Sequence, residues 1–153
     1  MWEEKISLIE KNKLWVKTNT STCTHYHIDA NNRIIYKKYL DGTTDFYDRL
    51  KKFEYFDFIP KMYYIYKNII IEEYIPVNLN NENKPIDYIE QLRYIDNTLK
   101  KNNIFHNDYK SRHFYINTSN KIILIDWNNF THDKPREREW VNNDIETIIQ
   151  KMI

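Results

Sequence analysis

Residues 105–128 read FHNDYKSRHFYINTSNKIILIDWN, and this stretch decides which fold the sequence can adopt. Apolar runs on either side of Thr118-Ser119-Asn120 predict a β-hairpin with strands over 113–117 and 121–126. The second strand is a four-residue aliphatic run that ends directly at Asp126. A carboxylate in that position is held at the edge of a rigid element, where it can meet a metal ion or a base.

Charged side chains lie at both ends of this hairpin. Asp108 precedes it, Asp126 follows its second strand, and Lys110 and His113 lie in the turn after Asp108. Because a hairpin brings its ends together, we expect both carboxylates to face one small volume. A carboxylate that accepts a hydroxyl proton, a carboxylate that holds Mg²⁺ and a lysine for phosphate charge are what phosphoryl transfer needs. Either aspartate alone is more simply a turn residue, and their joint placement favours catalysis.

The composition excludes several other classes of protein. Gly42 is the only glycine among 153 residues, so a P-loop and a G-x-G-x-x-G dinucleotide motif are both absent. The formal net charge of +1 argues against a nucleic-acid or anionic-membrane partner. Cys23 is the only cysteine, and no apolar run approaches the roughly 20 residues of a membrane span. We therefore expect a cytoplasmic protein that binds neither nucleic acid nor membrane.

The rest of the sequence predicts strands first and helices later. Apolar positions at helical spacing predict three helices besides a short one near Phe46, and β-rich runs precede the linker at 77–84. The predicted helices span 2–12, 85–99 with Ile86 on its apolar face, and a last helix capped by Asn143 and Glu146. The predicted early strands span 14–18, 26–29, 33–40, 62–66 and 68–72.

Several of these segments resemble motifs of the protein-kinase-like superfamily. His106-Asn-Asp108-Tyr-Lys110-Ser-Arg-His113 resembles the catalytic loop H-R-D-x-K-x-x-N, and Ile125-Asp126-Trp-Asn resembles the D-F-G segment. Ile34-Ile-Tyr-Lys37 is similar to V-A-I-K of the third strand, and Ile69 to Pro76 to the hinge between lobes. Asn143-Asp144-Ile-Glu resembles the start of a later helix.

The resemblance covers residues 13–150 and implies an α+β fold, a minimal bilobal protein-kinase-like domain. An antiparallel-sheet N-lobe would span 1–75, a hinge and linker 73–84, and a truncated, mainly helical C-lobe with the catalytic hairpin 85–153. The later helices of a full kinase have no counterpart, so we expect a homodimer or a protein partner to cover the apolar faces left open.

The resemblance also implies roles for residues that bind the nucleotide. Lys37 would hold the α- and β-phosphates of ATP, because period two places it on the cleft face with Ile35. Its acidic partner on the following helix would be Asp45 or Asp48. Backbone groups of Glu73 and Ile75 would bond the adenine.

For the catalytic residues, the resemblance implies that Asp108 orients or deprotonates the acceptor hydroxyl and Lys110 neutralises the moving phosphoryl group. Asp126 would bind Mg²⁺, with Mn²⁺ as an alternative. His113 replaces the metal-binding Asn of the family. It either ligates the metal, which would favour softer ions, or packs within the hairpin.

The expected activity is that of an ATP-dependent kinase that transfers the γ-phosphoryl group to a hydroxyl. Lys110, two residues after Asp108, is the pattern of Ser/Thr protein kinases and slightly favours a protein acceptor. The short segment from Asn128 to Trp140 favours a small molecule. A Ser/Thr-rich stretch at 17–24 stands where the family has its glycine-rich loop. That departure and His113 motivate the alternative, a pseudokinase that acts as a nucleotide-binding or interaction module.

Overall fold

The chain has an α+β fold in which all pairings between named strands are antiparallel. The computed structural model describes residues 1–18, 20 and 22–153. These residues form two compact units, the first made of 1–55 and 60–74 and the second of 56–59 and 75–153. The predicted linker at 77–84 belongs to the second unit.

The first unit is built on a five-stranded sheet with strand order β1-β2-β3-β5-β4. Its elements are helices α1 and α2 and strands β1 to β5, and they span Trp2–Lys11 (α1), Val16–Lys17 (β1), Cys23–Asp29 (β2), Ile34–Tyr39 (β3), Phe46–Lys51 (α2), Met62–Tyr66 (β4) and Ile69–Glu73 (β5). The two helices and five strands that the sequence predicts for this unit are thus confirmed, with shifted ends. Asn19 and Ser21 of the Ser/Thr-rich stretch lie outside the described residues.

One face of this sheet is covered by α1. Ile6 of the helix packs in one buried cluster with Ile34 and Tyr36 of β3, which share a face because side chains alternate along a strand. Lys38 lies on that same face, and its Nζ is 2.9 Å from Oε1 of Glu10 in α1. Lys37 therefore points to the opposite face of the sheet, as the alternation predicts.

The second unit combines two α-helices with two small antiparallel sheets, of order β6-β8-β9 and β10-β7. Its regular elements include two short 3-10 helices, at Ser111–His113 and Trp127–Asn129. The remaining elements span Val77–Asn78 (β6), Tyr88–Lys101 (α3), Ile104–Phe105 (β7), Phe114–Ile116 (β8), Ile122–Leu124 (β9), Thr131–His132 (β10) and Ile145–Lys151 (α4). Because β6 lies within 77–84, part of the predicted linker is a paired strand.

The predicted hairpin is confirmed by the pairing of β8 with β9, in which Phe114 lies opposite Leu124. Both side chains are fully buried, and α3 contacts β9 and α4. Phe58, from the segment 56–59, accepts a 2.8 Å hydrogen bond at its carbonyl from the Leu124 N–H. This contact joins that short segment to the hairpin.

Two details of the predicted helices are wrong. Helix α3 begins at Tyr88, so Ile86 precedes its first turn and is fully exposed instead of lying on the apolar face. The N-cap of α4 is Asp144, whose Oδ1 accepts the Glu146 N–H at 3.0 Å, and not Asn143. No helix among the described residues is long and apolar enough to cross a membrane.

The contrast between two isoleucines of the second unit gives a matched test of this core. We expect Ile95→Ala to lower the free energy of unfolding by about 2–5 kcal/mol, because Ile95 is 1% exposed and its loss leaves a cavity. Ile86→Ala should change it by less than about 0.5 kcal/mol. Urea denaturation followed by circular dichroism measures both. Equal losses in the two variants would contradict the start of α3 at Tyr88.

Candidate functional site

His113 contacts both aspartates that the sequence analysis assigns to the site, Asp108 and Asp126. Its Nδ1 lies 2.8 Å from the carbonyl oxygen of Asp108, and its Nε2 lies 2.9 Å from Oδ2 of Asp126. Its Nδ1 is also 3.7 Å from Oδ2 of Asp108. The hairpin positions this contact, since the Ile125 N–H donates to the carbonyl of His113 at 2.9 Å. The two aspartates are thus brought to one imidazole, as their placement in the sequence predicts.

The partners of His113 decide its protonation. A backbone carbonyl only accepts, so Nδ1 carries a proton, and a carboxylate at Nε2 favours a proton there as well. Burial by itself lowers the pKa of His113. The hydrogen bond and charge of Asp126 and the contacts with Asp108 outweigh burial, so the pKa is raised above its usual 6.5. The acceptors at both ring nitrogens and the raised pKa therefore favour the imidazolium form of His113.

Asp108 is a buried carboxylate, with 8% of the residue exposed. Its Oδ1 has no hydrogen-bond partner among the residues that the structure describes. Lys110 Nζ covers this oxygen at 3.2 Å without hydrogen-bond geometry, and the Lys110 side chain is 40% exposed. A buried carboxylate oxygen that lacks a hydrogen bond is costly to maintain, so it marks a place where a ligand donor fits.

Asp126 lies at a strained point of the backbone. Its φ of 61° and ψ of 63° place it in the left-handed region, between β9 and the 3-10 helix that starts at Trp127. Residues with a Cβ pay about 1 kcal/mol or more for this conformation, and such strain concentrates at functional sites. The turn leaves the Asp126 side chain 40% exposed while one oxygen bonds His113.

His106 is a neutral ring that bonds the backbone at Asp108 and at Ile125. Its Nδ1 accepts the Asp108 N–H at 3.2 Å, and its Nε2 lies 2.8 Å from the carbonyl oxygen of Ile125 and donates to it. Burial lowers the pKa of His106 to about 4, so the ring keeps this single tautomer at neutral pH. The edge of Trp127 packs against it, with ring centroids 4.8 Å apart. His106 thereby ties the backbone before Asp126 to that of Asp108.

Asn107 is a residue of the candidate site that sequence reasoning missed. It is fully buried with φ of 71°, and its N–H donates to Oδ1 of Asn143 at 2.7 Å. Its Nδ2 donates to the Asn129 carbonyl and to Oγ1 of Thr131, both at 2.9 Å. Its Oδ1 accepts from Nδ2 of Asn143 and from the N–H of Arg136, at 2.9 and 3.2 Å. Asn143 is thus committed to this loop, which explains why it does not cap α4.

Tyr109 and Asp96 form a second buried pair that the sequence analysis did not single out. Tyr109 Oη donates to Oδ1 of Asp96 at 3.0 Å, and Lys100 Nζ lies 2.8 Å from Oδ2. Burial, followed by the Asp96 charge, raises the pKa of Tyr109. The sequence contained a signal for this pair, because Asp96 is a charged residue within the apolar stripe of α3 that includes Leu92 and Leu99.

In the first unit, Lys37 pairs with Glu72, whose Oε1 is 2.5 Å from its Nζ. The predicted candidates were on the next helix, where Asp45 occupies the N-cap of α2 and Asp48 its first turn. Sequence reasoning missed Glu72, although it lies across from Ile35 and so on the same face as Lys37. Glu72 faces Lys37 because of the register between β3 and β5, and the sequence motif around Lys37 does not indicate that register.

The two predicted adenine-binding residues belong to different units. Glu73 ends β5, and its N–H donates to the Lys61 carbonyl at 2.8 Å. Its Oε1 accepts the Lys61 N–H at 3.2 Å. Ile75 begins the second unit and is buried. Their adenine-binding role stays a prediction.

The carboxylate predicted to bind a divalent cation is that of Asp126. No group of three or more His, Cys, Asp or Glu side chains within residues 1–18, 20 and 22–153 could hold a metal ion by itself. Mg²⁺ is often bound by one or two carboxylates together with substrate phosphates, and the half-exposed Asp126 suits that mode. Both ring nitrogens of His113 have partners within the protein, and its predicted metal role stays a prediction.

Comparison with models of protein families gives no match to this chain, and comparison with curated proteins gives none either. The geometry around Asp108, His113 and Asp126 is therefore the basis for assigning a function.

The two histidines should affect stability in opposite directions as pH changes. The pKa of buried His106 is about 4 in the folded state, so its contribution is full above its usual 6.5 and is lost as pH falls toward 4. That loss amounts to about 3 kcal/mol. The pKa of His113 is raised by Asp126 and Asp108 against burial, so its contribution is full below 6.5 and is lost as pH rises through the folded pKa.

Urea denaturation of wild type, His106→Gln and His113→Gln between pH 4.5 and pH 8 measures these contributions. The destabilisation caused by His106→Gln should shrink toward acid pH, whereas that caused by His113→Gln should shrink toward alkaline pH. The same trend in both variants would show that one of the two protonation states is wrong. NMR titration of the imidazole Cε1–Hε1 signals assigns each change to its ring.

Proposed function

We propose that this protein is an ATP-dependent phosphotransferase that moves the γ-phosphoryl group to a hydroxyl acceptor. The observation that carries the proposal is the buried Oδ1 of Asp108, which lacks a hydrogen bond among the described residues while His113 links its residue to Asp126. A hydroxyl that donates to this oxygen would satisfy it. The acceptor oxygen would then be oriented for in-line attack on a phosphoryl group.

Lys110 would act as a movable cation in this reaction. Its side chain is 40% exposed and covers Oδ1 of Asp108 without a hydrogen bond. An exposed lysine reorients at small cost, so an incoming hydroxyl would take its place at Oδ1. The ammonium would then neutralise charge on the transferred phosphoryl group, while the imidazolium of His113 keeps Asp108 and Asp126 in place.

Asp126 would hold the divalent cation, Mg²⁺ or Mn²⁺, through its exposed carboxylate. When bound, such a cation neutralises phosphate charge and orients the phosphates. His113 donates to Oδ2 of Asp126 and so helps to position this carboxylate. The left-handed backbone at Asp126 keeps this carboxylate at the end of β9.

The fold proposed with this activity is the bilobal protein-kinase-like one. It is supported by the five-stranded antiparallel sheet of the first unit, with Lys37 on its third strand, and by the hairpin that carries Asp108 and Asp126 in the second unit. The binding of ATP phosphates by Lys37 stays a prediction. Ser or Thr of a protein is the slightly favoured acceptor, because Lys110 follows Asp108 by two residues.

Asp108→Asn should lower phosphoryl transfer at least about 100-fold, because the amide keeps the shape of the side chain and loses its charge as a base. Transfer is measured with γ-labelled ATP and Mg²⁺ or Mn²⁺, onto the protein itself, Ser/Thr peptides and small hydroxyl compounds. Asp57→Asn is the matched control, since Asp57 is exposed in the same unit. The proposal fails if wild type labels none of these acceptors, or if the two variants label them equally.

A pseudokinase is the second candidate function, and the state of His113 favours it. With both ring nitrogens of His113 donating, the site has one metal-binding carboxylate, Asp126, where the family pattern has two ligands. Such a site could bind a nucleotide and still transfer phosphate poorly. The protein would then act by binding a nucleotide or a partner, and not by transferring phosphate.

Thermal-shift titration with ATP and Mg²⁺ separates these cases. We expect ATP at 100 times its dissociation constant to stabilise the protein by about 2.7 kcal/mol, and Lys37→Met to reduce this shift. Lys38→Met is the control, because Lys38 lies on the α1 face of the sheet. A shift without transfer would indicate a nucleotide-binding pseudokinase. No shift would contradict nucleotide binding altogether.

A further inference from the structure

The carbonyl oxygen of Asn129 accepts hydrogen bonds from two side chains, one earlier and one later in the sequence. It accepts from Nδ2 of Asn107 at 2.9 Å and from Nε of Arg136 at 2.8 Å. The backbone N–H of Arg136 also donates to Oδ1 of Asn107, at 3.2 Å. Arg136 is thus fixed at its backbone and at its guanidinium by one buried asparagine and one carbonyl.

These anchors tie Arg136 to the two segments that carry the carboxylates of the candidate site. Asn107 directly precedes Asp108, and Asn129 ends the 3-10 helix that starts after Asp126. Thr131 strengthens the connection, because its Oγ1 accepts from Asn107 Nδ2 at 2.9 Å and donates to the carbonyl of Lys134 at 2.6 Å. The loop that leads to Arg136 is therefore attached to the catalytic turn.

The charge of Arg136 is not balanced by a carboxylate within the part of the chain that the structure describes. Its guanidinium donates to the Asn129 carbonyl alone, through Nε, although Glu137 and Glu139 are close in sequence. Arg93, by contrast, forms an ion pair with Glu146. The exposed Arg136 keeps its Nη1 and Nη2 groups for another partner. A guanidinium held in place in this way binds carboxylate or phosphate groups through paired N–H donors.

We propose that Arg136 binds an anionic group, a phosphate or a carboxylate, on the phosphoryl acceptor next to the hydroxyl that Asp108 receives. This assignment of the acceptor class rests on the proposed phosphotransferase function. Lys110 and His113 already balance the charges of Asp108 and Asp126, so an anionic acceptor needs a further cation, which Arg136 supplies. Arg136 therefore selects acidic acceptors over neutral ones.

The first test measures anion binding without catalysis. Inorganic phosphate is titrated into the full chain, and the Nε–Hε signals of the arginines are followed by NMR. The signal of Arg136 should shift and saturate, and Arg136→Gln should remove this binding. Arg138→Gln is the matched control, because Arg138 lies on the same exposed segment and its Nη1 donates to the Glu137 carbonyl. Equal shifts at Arg136 and Arg138 would show diffuse attraction and overturn the site.

The second test measures selection of the acceptor. Three peptides are compared that differ only in the residue beside the acceptor serine: phosphoserine, glutamate or glutamine. Wild type should use the anionic peptides with kcat/KM about tenfold above the glutamine peptide. Arg136→Gln should bring this ratio to about one, Arg136→Lys should keep part of it, and Arg138→Gln should keep all of it. The phosphoserine and glutamate peptides separate a phosphate from a carboxylate preference.

The two tests keep the possible failures apart. Transfer to all three peptides at equal rates in wild type would overturn the acceptor assignment and leave the proposed activity standing. If wild type labels none of the peptides or other acceptors, the proposed function and the acceptor assignment fall together. The phosphate titration then decides by itself whether Arg136 is an anion site.

Discussion

The hydrogen bonds of His113 to both aspartate residues are the constraint on which the candidate site depends. A neutral imidazole has one N–H, so acceptors at both of its nitrogens favour the cation. The cation in turn keeps two carboxylate residues close without repulsion between them. Asp126 bonds this ring from a left-handed backbone position, and Asp108 has a buried Oδ1 without a hydrogen bond among the described residues.

A second constraint comes from Asn107, which is buried on the other side of Asp108. Its amide bonds three later segments of the chain, at Asn129, Arg136 and Asn143. The short segment after Asp126 is thereby tied to the turn that carries Asp108 by a neutral side chain.

Much of the local structure follows from residue order. The hairpin over 113–126 and the opposite faces of Lys37 and Lys38 were predictable, because alternation along a strand is a local property. The apolar period of α3 was predictable over Leu92 to Leu99, and its first turn was not. Ile86 has the spacing of the apolar face of α3. The first residue of a helix also depends on packing against segments distant in sequence, which the spacing does not show.

The sequence by itself determined the longer helices and strands and the placement of Asp108 and Asp126 at the two ends of one hairpin. Only the tertiary structure decided which partner each polar group has. Glu72 pairs with Lys37 because of strand register, and Asn143 bonds Asn107 in place of capping a helix. The reason is that a hydrogen bond needs its two atoms within about 3 Å, and for groups far apart in the chain that distance is set by packing.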